Sequence, residues 1–337
     1  MSDATLDAIR DLIQEDINGR GLRTDPAANL VNAFPGDFEG ACRSLVAEQK
    51  PAVAIVTGFL IPHAQPPAAE TDGPLGAIFI ARALTRIGFR IAMATDEFCR
   101  QPLEAGLEVC GLRELVPLIT LPAAGPAWHT FAANEWPTFL KRHQVTHLLV
   151  LERAGPSHTP ESLRRQPGSK AHDQELFAAE VPAEHQDRCH TMVGRDVTDF
   201  MAPAHLLFER ARHERITTIG IGDGGNEIGM GKIPWAVIRL NIPNGAVVAC
   251  RVPTDFLIVC GVSNWGAYGL AAGLMHLRHA PAKPYLFDPE REREVLHLMI
   301  QRSPLVDGVR GKPTLTVDGL NFQRYAAKLQ TIGALIC

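Results

Sequence analysis

The chain has 337 residues, enough for two average domains or for one large α/β domain with added helices. Its 33 Lys and Arg against 37 Asp and Glu give a formal charge of −4, which excludes a basic nucleic-acid footprint and argues against a polyanionic partner. With 46% apolar and 21% charged residues, the composition is that of a globular core and excludes a disordered or fibrous chain. Seven scattered cysteines without a CxxC pair read as reduced thiols. The first residues carry Asp3, Asp7, Asp11, Glu15 and Asp16 against a single Arg10, unlike a signal or transit peptide, so a cytoplasmic location is expected.

In chain order, Leu6, Ile9, Leu12, Ile13 and Ile17 predict an amphipathic helix, and Phe38, Ala41, Cys42, Leu45 and Val46 a second. Short apolar runs follow at 53–58, 90–95, 115–120, 146–151, 216–221, 246–250 and 257–260. They are not polar at alternate residues, which predicts strands buried on both faces of a mostly parallel sheet. Thr71-Asp72-Gly73-Pro74 predicts a helix start, with Thr or Asp as its cap and Leu75, Ile78, Phe79 and Leu84 following. Residues 155–192, with four histidines and many charges, predict an irregular excursion or lid with a helix near 173–181. Phe256 to Met275 is free of charge, yet Ser263 and Asn264 divide it into a strand-like and a small-residue helical half, so it is not read as a membrane span. Two helices, around 289–302 and 320–331, complete the pattern. The expectation is a doubly wound, mostly parallel α/β sheet with helices on both faces and extra N- and C-terminal helices. Residues 1–50 would form helices packed on the body, 51–285 the α/β domain, and 286–337 the C-terminal helices of the same domain.

In such a sheet, ligands bind outside the carboxyl ends of the strands. Glu70, Thr71 and Asp72 follow the first run, and Asp96 and Glu97 the second. Glu152 and Arg153 follow the run at 146–151, Asp223, Asn226 and Glu227 that at 216–221, and Ser263 and Asn264 the last. Clustered carboxylates raise one another's pKa and need a cation, a shared proton or an ammonium group to compensate them. They would hold Mg²⁺ or Mn²⁺, grip a substrate amine, or act as a general base. The plainer alternative is that Asp72, Asp96 and Ser263 cap helices and Glu152 pairs with Arg153. The loop Gly220 to Lys232 matches GxGxxG at 220, 222 and 225. However, Asp223 would face a pyrophosphate, Gly229, Gly231 and Pro234 interrupt the next helix, and no ribose-binding acid follows at the usual spacing, so no nucleotide is expected. Asp223 and Glu227 look instead like metal or ammonium ligands, with Asn226 beside them and Lys232 free to meet a substrate carboxylate. His185, Cys189 and His190 are read as surface residues and not as a zinc site. Ser263 lacks a nucleophile elbow, and there is no Walker A motif.

Gly58-Phe59, Ile61-Pro62, the run Glu70-Thr71-Asp72-Gly73-Pro74-Leu75-Gly76-Ala77, the loop 220–232, residues 193–198 and Val262-Ser263-Asn264-Trp265-Gly266 together resemble the C-terminal domain family of D-glutamate cyclase. The likeness spans about 50 to 280. It implies that D-glutamate loses water to become 5-oxo-D-proline, its amine attacking its own γ-carboxyl group. On that basis Glu70 or Asp72 takes the ammonium proton, and Asp223 and Glu227 hold Mn²⁺ or Mg²⁺ or the ammonium. Lys232 and Arg153 meet substrate carboxylates, and Thr71, Asn226, Ser263 and Asn264 orient the substrate. The partner is then a small amino acid, with no nucleic acid and no membrane, and self-association stays open. Two rival readings are a non-catalytic amino-acid or metabolite binding module, and a nucleotide-binding enzyme using the 220–232 loop.

Overall fold

Six of the seven apolar runs form one sheet. In the computed structural model, which describes residues 3–280 and 286–336, the strands are β1 (Ala52–Thr57), β2 (Arg90–Asp96), β3 (Leu118–Leu121), β4 (His147–Leu151), β5 (Thr217–Gly222) and β6 (Phe256–Val259). Their order is β3-β2-β1-β4-β5-β6, and every neighbouring pair is parallel. All residues of β1 and β4 are buried, because helices cover both faces and leave no row of side chains to water. Successive residues feed different cores. Val53 and Ile55 join Leu6, Phe38, Ile78, Trp265 and Tyr325, whereas Ala54 and Val56 join Trp136, Phe208 and Trp235.

The strand order reverses direction between β1 and β4, so the connections that leave these two strands diverge and open a crevice at their carboxyl ends. Two small elements roof it. Leu60–Ile61 and Ala68–Glu70 pair with each other, and the latter with Leu305–Val306, which places Glu70 beside the 306–308 turn. A hairpin of Thr316–Val317 and Leu320–Asn321 turns through Asp318 (φ 55°) and Gly319 (φ 74°), the left-handed pair that an Asp-Gly turn favours.

Several expectations are corrected. The run at 246–250 is not a strand: Gly245–Val248 forms a short helix, and a short apolar run alone does not separate buried strand from buried helix. The third strand begins at Leu118, and Leu115 is 66% exposed. The first helix is Ala4–Ile13, so Ile17 lies beyond it. Cys189 and His190 are buried, not at the surface. The excursion does contain helices, Pro160–Arg165 and Ala171–Glu180. The uncharged stretch divides as expected into β6 and the helix Ser263–Leu277. Among the described residues no helix is long and apolar enough to cross a membrane.

Candidate active site

Two helices begin at the crevice and cap one another. The helix Pro74–Leu84 starts after Gly73, which has φ 90°; a Cβ there would meet Thr57 Oγ1 at 2.8 Å and Glu152 Cβ at 2.9 Å, so the close approach requires glycine. Asp72 does not cap this helix. Its Oδ2 accepts from Ser263 N (2.9 Å) and its Oδ1 from Asn264 N (2.7 Å), both at the start of the helix Ser263–Leu277, and Oδ1 also accepts from Gly73 N (3.1 Å). Reciprocally, Asn264 Oδ1 accepts from Gly73 N (2.9 Å) and Gly76 N (2.8 Å), and its amide donates to Thr71 O. Each helix thus receives a capping side chain from the other, which satisfies N–H groups left open by the helical pattern. Thr71 Oγ1 donates to Thr316 O (3.0 Å), holding the hairpin over the site.

Around this joint lie Glu70, Asp72, Glu152, Asp223, Glu227 and Asp318, all buried. Glu152 follows β4 in the left-handed region at φ 45°, an uncommon backbone state for a non-glycine residue and one typical of functional sites. Its Oε2 accepts from Ser263 Oγ. Asp223 follows β5. Its amide and that of Gly224 donate to Glu227 Oε1 at 3.0 and 2.7 Å, so these two glycine-loop donors face the loop's own acid and do not form an open phosphate cradle; the next helix begins only at Trp235. Arg20, from the irregular segment after the first helix, makes ion pairs with both Asp223 and Asp318. Asp223 Oδ2 and Glu227 Oε2 have no hydrogen-bond partner. Asp72, Glu152 and Asp223 each offer an oxygen within 4.8 Å of the others; an all-oxygen set of this kind, with an orphaned carboxylate oxygen, fits a hard divalent cation.

A cavity of about 310 Å³ opens over this floor, lined by Arg20, Glu70, Glu152, Asn226 and Asp318 below, by Phe59, Ile61, Pro62 and Met192 on its walls, and by Val193, Arg195, His63 and Val309. Val193 and Val309 are 81% and 63% exposed. Asp72 and Asp223 lie outside that lining. A second cavity, of about 340 Å³, sits against the opposite ends of β1 and β2 between Phe89, Arg142 and His143 and is lined by no carboxylate.

Burial pushes the Glu70 carboxyl well above its ordinary range, reinforced by Glu152. Glu152 rises likewise through burial and the charges of Glu227 and Asp72. Asp72 is pushed up to about 8 by burial and by Asp318, against its hydrogen bonds from Asn264 and Ser263. Burial also raises Asp223, opposed by Arg20. Arg20 itself stays charged, because Asp223 and Asp318 outweigh its desolvation. The neighbouring Cys260 is kept a neutral thiol by burial. Between the ordinary Asp value of 3.8 and about 8, Asp72 keeps its proton in the folded chain but loses it in the unfolded one. The stability this contributes is therefore complete below the unfolded value and is lost as pH rises through the folded one. The melting temperature of chelator-treated protein is expected to fall from about pH 4 to about pH 8; a profile that rises over that window would contradict the assignment.

Glu70, Asp72, Asp223, Asn226, Glu227, Ser263 and Asn264 come together as the strand ends imply. Arg153 and Lys232 do not reach the cavity lining. Arg153 is fully buried in an ion pair with Asp96 and donates to Ala202 O and Gly58 O, so neither the Glu152 pairing nor a free substrate-facing guanidinium is realised. Lys232 Nζ donates to Asp37 Oδ2 (2.5 Å) and Asp255 O (2.6 Å). Lys232→Met is expected to cost about 1 kcal/mol of stability and to leave substrate affinity within about twofold, measured by denaturant unfolding and steady-state kinetics.

Arg20 and Asp318 carry no motif and were not expected at the site. The Asp-Gly pairs at 307–308 and 318–319 signal turns, but nothing local shows that these turns close over strands remote in sequence.

The family model for "D-glutamate cyclase-like, C-terminal" matches residues 9–333. The mitochondrial D-glutamate cyclase of Homo sapiens is 28% identical over 312 residues, covering 85% of this chain and 46% of the relative, so the chain spans about half the length of that protein. With the family model matching nearly the whole of this chain and the motifs gathered in one acidic crevice, the chain belongs to the D-glutamate cyclase-like, C-terminal family.

Proposed function

We propose that this chain is a hydro-lyase that converts D-glutamate to 5-oxo-D-proline and water. The observation that carries the reading is the pair of buried acids, Glu70 and Glu152, in the floor of a cavity whose surroundings favour their protonated forms. Ring closure joins the α-nitrogen to the carbon of the γ-carboxyl group and breaks one of that carbon's bonds to oxygen. Two protons leave the ammonium group, and two are needed by the departing oxygen. The catalytic task is to carry them across, and a carboxyl group whose pKa lies near the working pH does this best.

Glu70 is the natural carrier, because no hydrogen bond or ion pair holds its carboxyl among the described residues and it faces the cavity. Glu152, whose Oε2 accepts from Ser263 Oγ, is the second proton-carrying acid in this reading. Asp72 and Asp223 sit below and set the local field. A Mn²⁺ or Mg²⁺ ion held by Asp72, Glu152 and Asp223 would supply Lewis-acid polarisation of the γ-carboxyl oxygen. Holding amine and γ-carboxyl together in one small cavity removes most of the orientational cost of closing the ring.

The test is incubation of purified protein with D- and L-glutamate, with and without Mn²⁺ or Mg²⁺, followed by chiral chromatography for 5-oxoproline. Formation of the D-product is expected; absence of product from both enantiomers under all conditions removes the reading.

A further inference from the structure

Three acids, Glu70, Glu152 and Asp318, line the cavity, and Asp72, Asp223 and Glu227 lie buried close by; glutamate brings two carboxylates and one ammonium, so its carboxylates need a cation to meet. The basic groups close to the floor are already engaged. Arg20 is held by Asp223 and Asp318, Arg153 by Asp96, and Lys232 by Asp37. Arg195 differs. It lines the same cavity, and its guanidinium has no acid partner among the described residues.

The backbone beneath it is fixed. Thr191 N donates to Arg195 O (2.9 Å), Arg195 N to Thr191 Oγ1 (3.2 Å) and Gly194 N to Thr191 O (2.8 Å). Asn226 of the glycine loop donates to His190 O (2.8 Å), tying this turn to the floor. The cavity therefore has an acidic floor, apolar walls from Phe59, Ile61 and Met192, and one unpaired guanidinium beside the exposed Val193.

We propose that Arg195 grips the α-carboxylate of the substrate and thereby sets the enzyme's specificity for amino acids with that group free. The assignment rests on the cyclase reading. The amine and the γ-carboxyl must meet each other and the proton-carrying acids, so both belong at the floor. The two methylenes then run along the apolar wall, and the only charged group left over, the α-carboxylate, points toward Arg195. A guanidinium matches a carboxylate with two parallel N–H donors, which supplies orientation as well as attraction. Arg195 does not take part in proton transfer; it is a binding residue that orients the ring-closing atoms.

The experiment compares D-glutamate with D-isoglutamine, in which the α-carboxylate is an amide and the γ-carboxyl is intact. The wild type is expected to prefer D-glutamate in kcat/KM. In Arg195→Gln that preference should fall by about tenfold or more, chiefly through KM, and Arg195→Lys should restore part of it. An unchanged preference in Arg195→Gln overturns the proposal, as does an equal loss on both substrates. If the wild type turns over neither compound, the cyclase reading falls, and Arg195 is judged by calorimetric binding of D-glutamate. About tenfold weaker binding by Arg195→Gln then supports the assignment; equal affinity, or no binding by the wild type, overturns it.

Discussion

Glu70→Gln is expected to lower kcat for 5-oxoproline formation by about 10²- to 10⁴-fold, the range for removal of a positioned general acid or base. Folding should be kept. The amide has the shape of the acid, and the native carboxyl has no hydrogen bond or ion pair to lose among the described residues. Burial already favours its neutral form, so a neutral amide adds no desolvation cost. Thermal unfolding within about 2 °C of the wild type, alongside the loss of turnover, would separate a chemical from a structural role. A variant that keeps more than about a tenth of the wild-type kcat would move the proton-carrying role to another acid, with Glu152 the next to test. Glu70 is also shielded by the 306–308 turn, since a Cβ at Gly308 would strike Glu70 Oε2. Gly308→Ala should therefore displace the Glu70 carboxyl and impair the same step.

Arg20→Met is expected to be the most destabilising single change at the site, by about 3–5 kcal/mol, because it removes the cation from a buried pair and leaves acids without a counter-charge. Methionine keeps much of the side chain's apolar length, so the loss reports charge more than packing. The direction with pH follows from the acids. In the variant nothing opposes the burial that raises Asp223, so the folded state must bind protons that the unfolded state releases, and the penalty grows as pH rises. Chemical denaturation at about pH 5.5 and about pH 8.5 should show the larger deficit at the higher value. Adding Asp318→Asn should recover part of the loss, since it removes one uncompensated acid and asparagine tolerates the left-handed φ of 55° at that turn. Equal destabilisation at both pH values, with no recovery in the double variant, would show that Arg20 acts through packing alone.

Much of the crevice is legible from local pattern. Acids and amides that directly follow buried strands must appear at one edge of a parallel sheet, because every such strand runs in the same direction. Asp223, Glu227, Ser263 and Asn264 are brought to that edge by this topology, whereas Glu70 and Asp72 are carried there by the small strand Ala68–Glu70 and the turn that follows it. The same pattern does not reveal which charges are already paired. Arg153 and Lys232 look like free cations in the sequence, yet Asp96 and Asp37 engage them. Each partner is remote in sequence, 57 and 195 residues away, and its approach is set by how helices and loops pack.

The balance of −4 carries no basic nucleic-acid footprint, and the buried runs with their intervening helices were sufficient for a parallel α/β sheet with its ligand edge. These are properties of local periodicity and of chain direction, which neighbouring residues carry. Tertiary structure decided the rest: the exchange of caps between Asp72 and Asn264, the entry of Arg20 and Asp318 from opposite ends of the chain, and the position beside the cavity of the Arg195 guanidinium, which has no acid partner among the described residues. Charge compensation in a buried site depends on distances between segments hundreds of residues apart, and only the folded chain sets those distances.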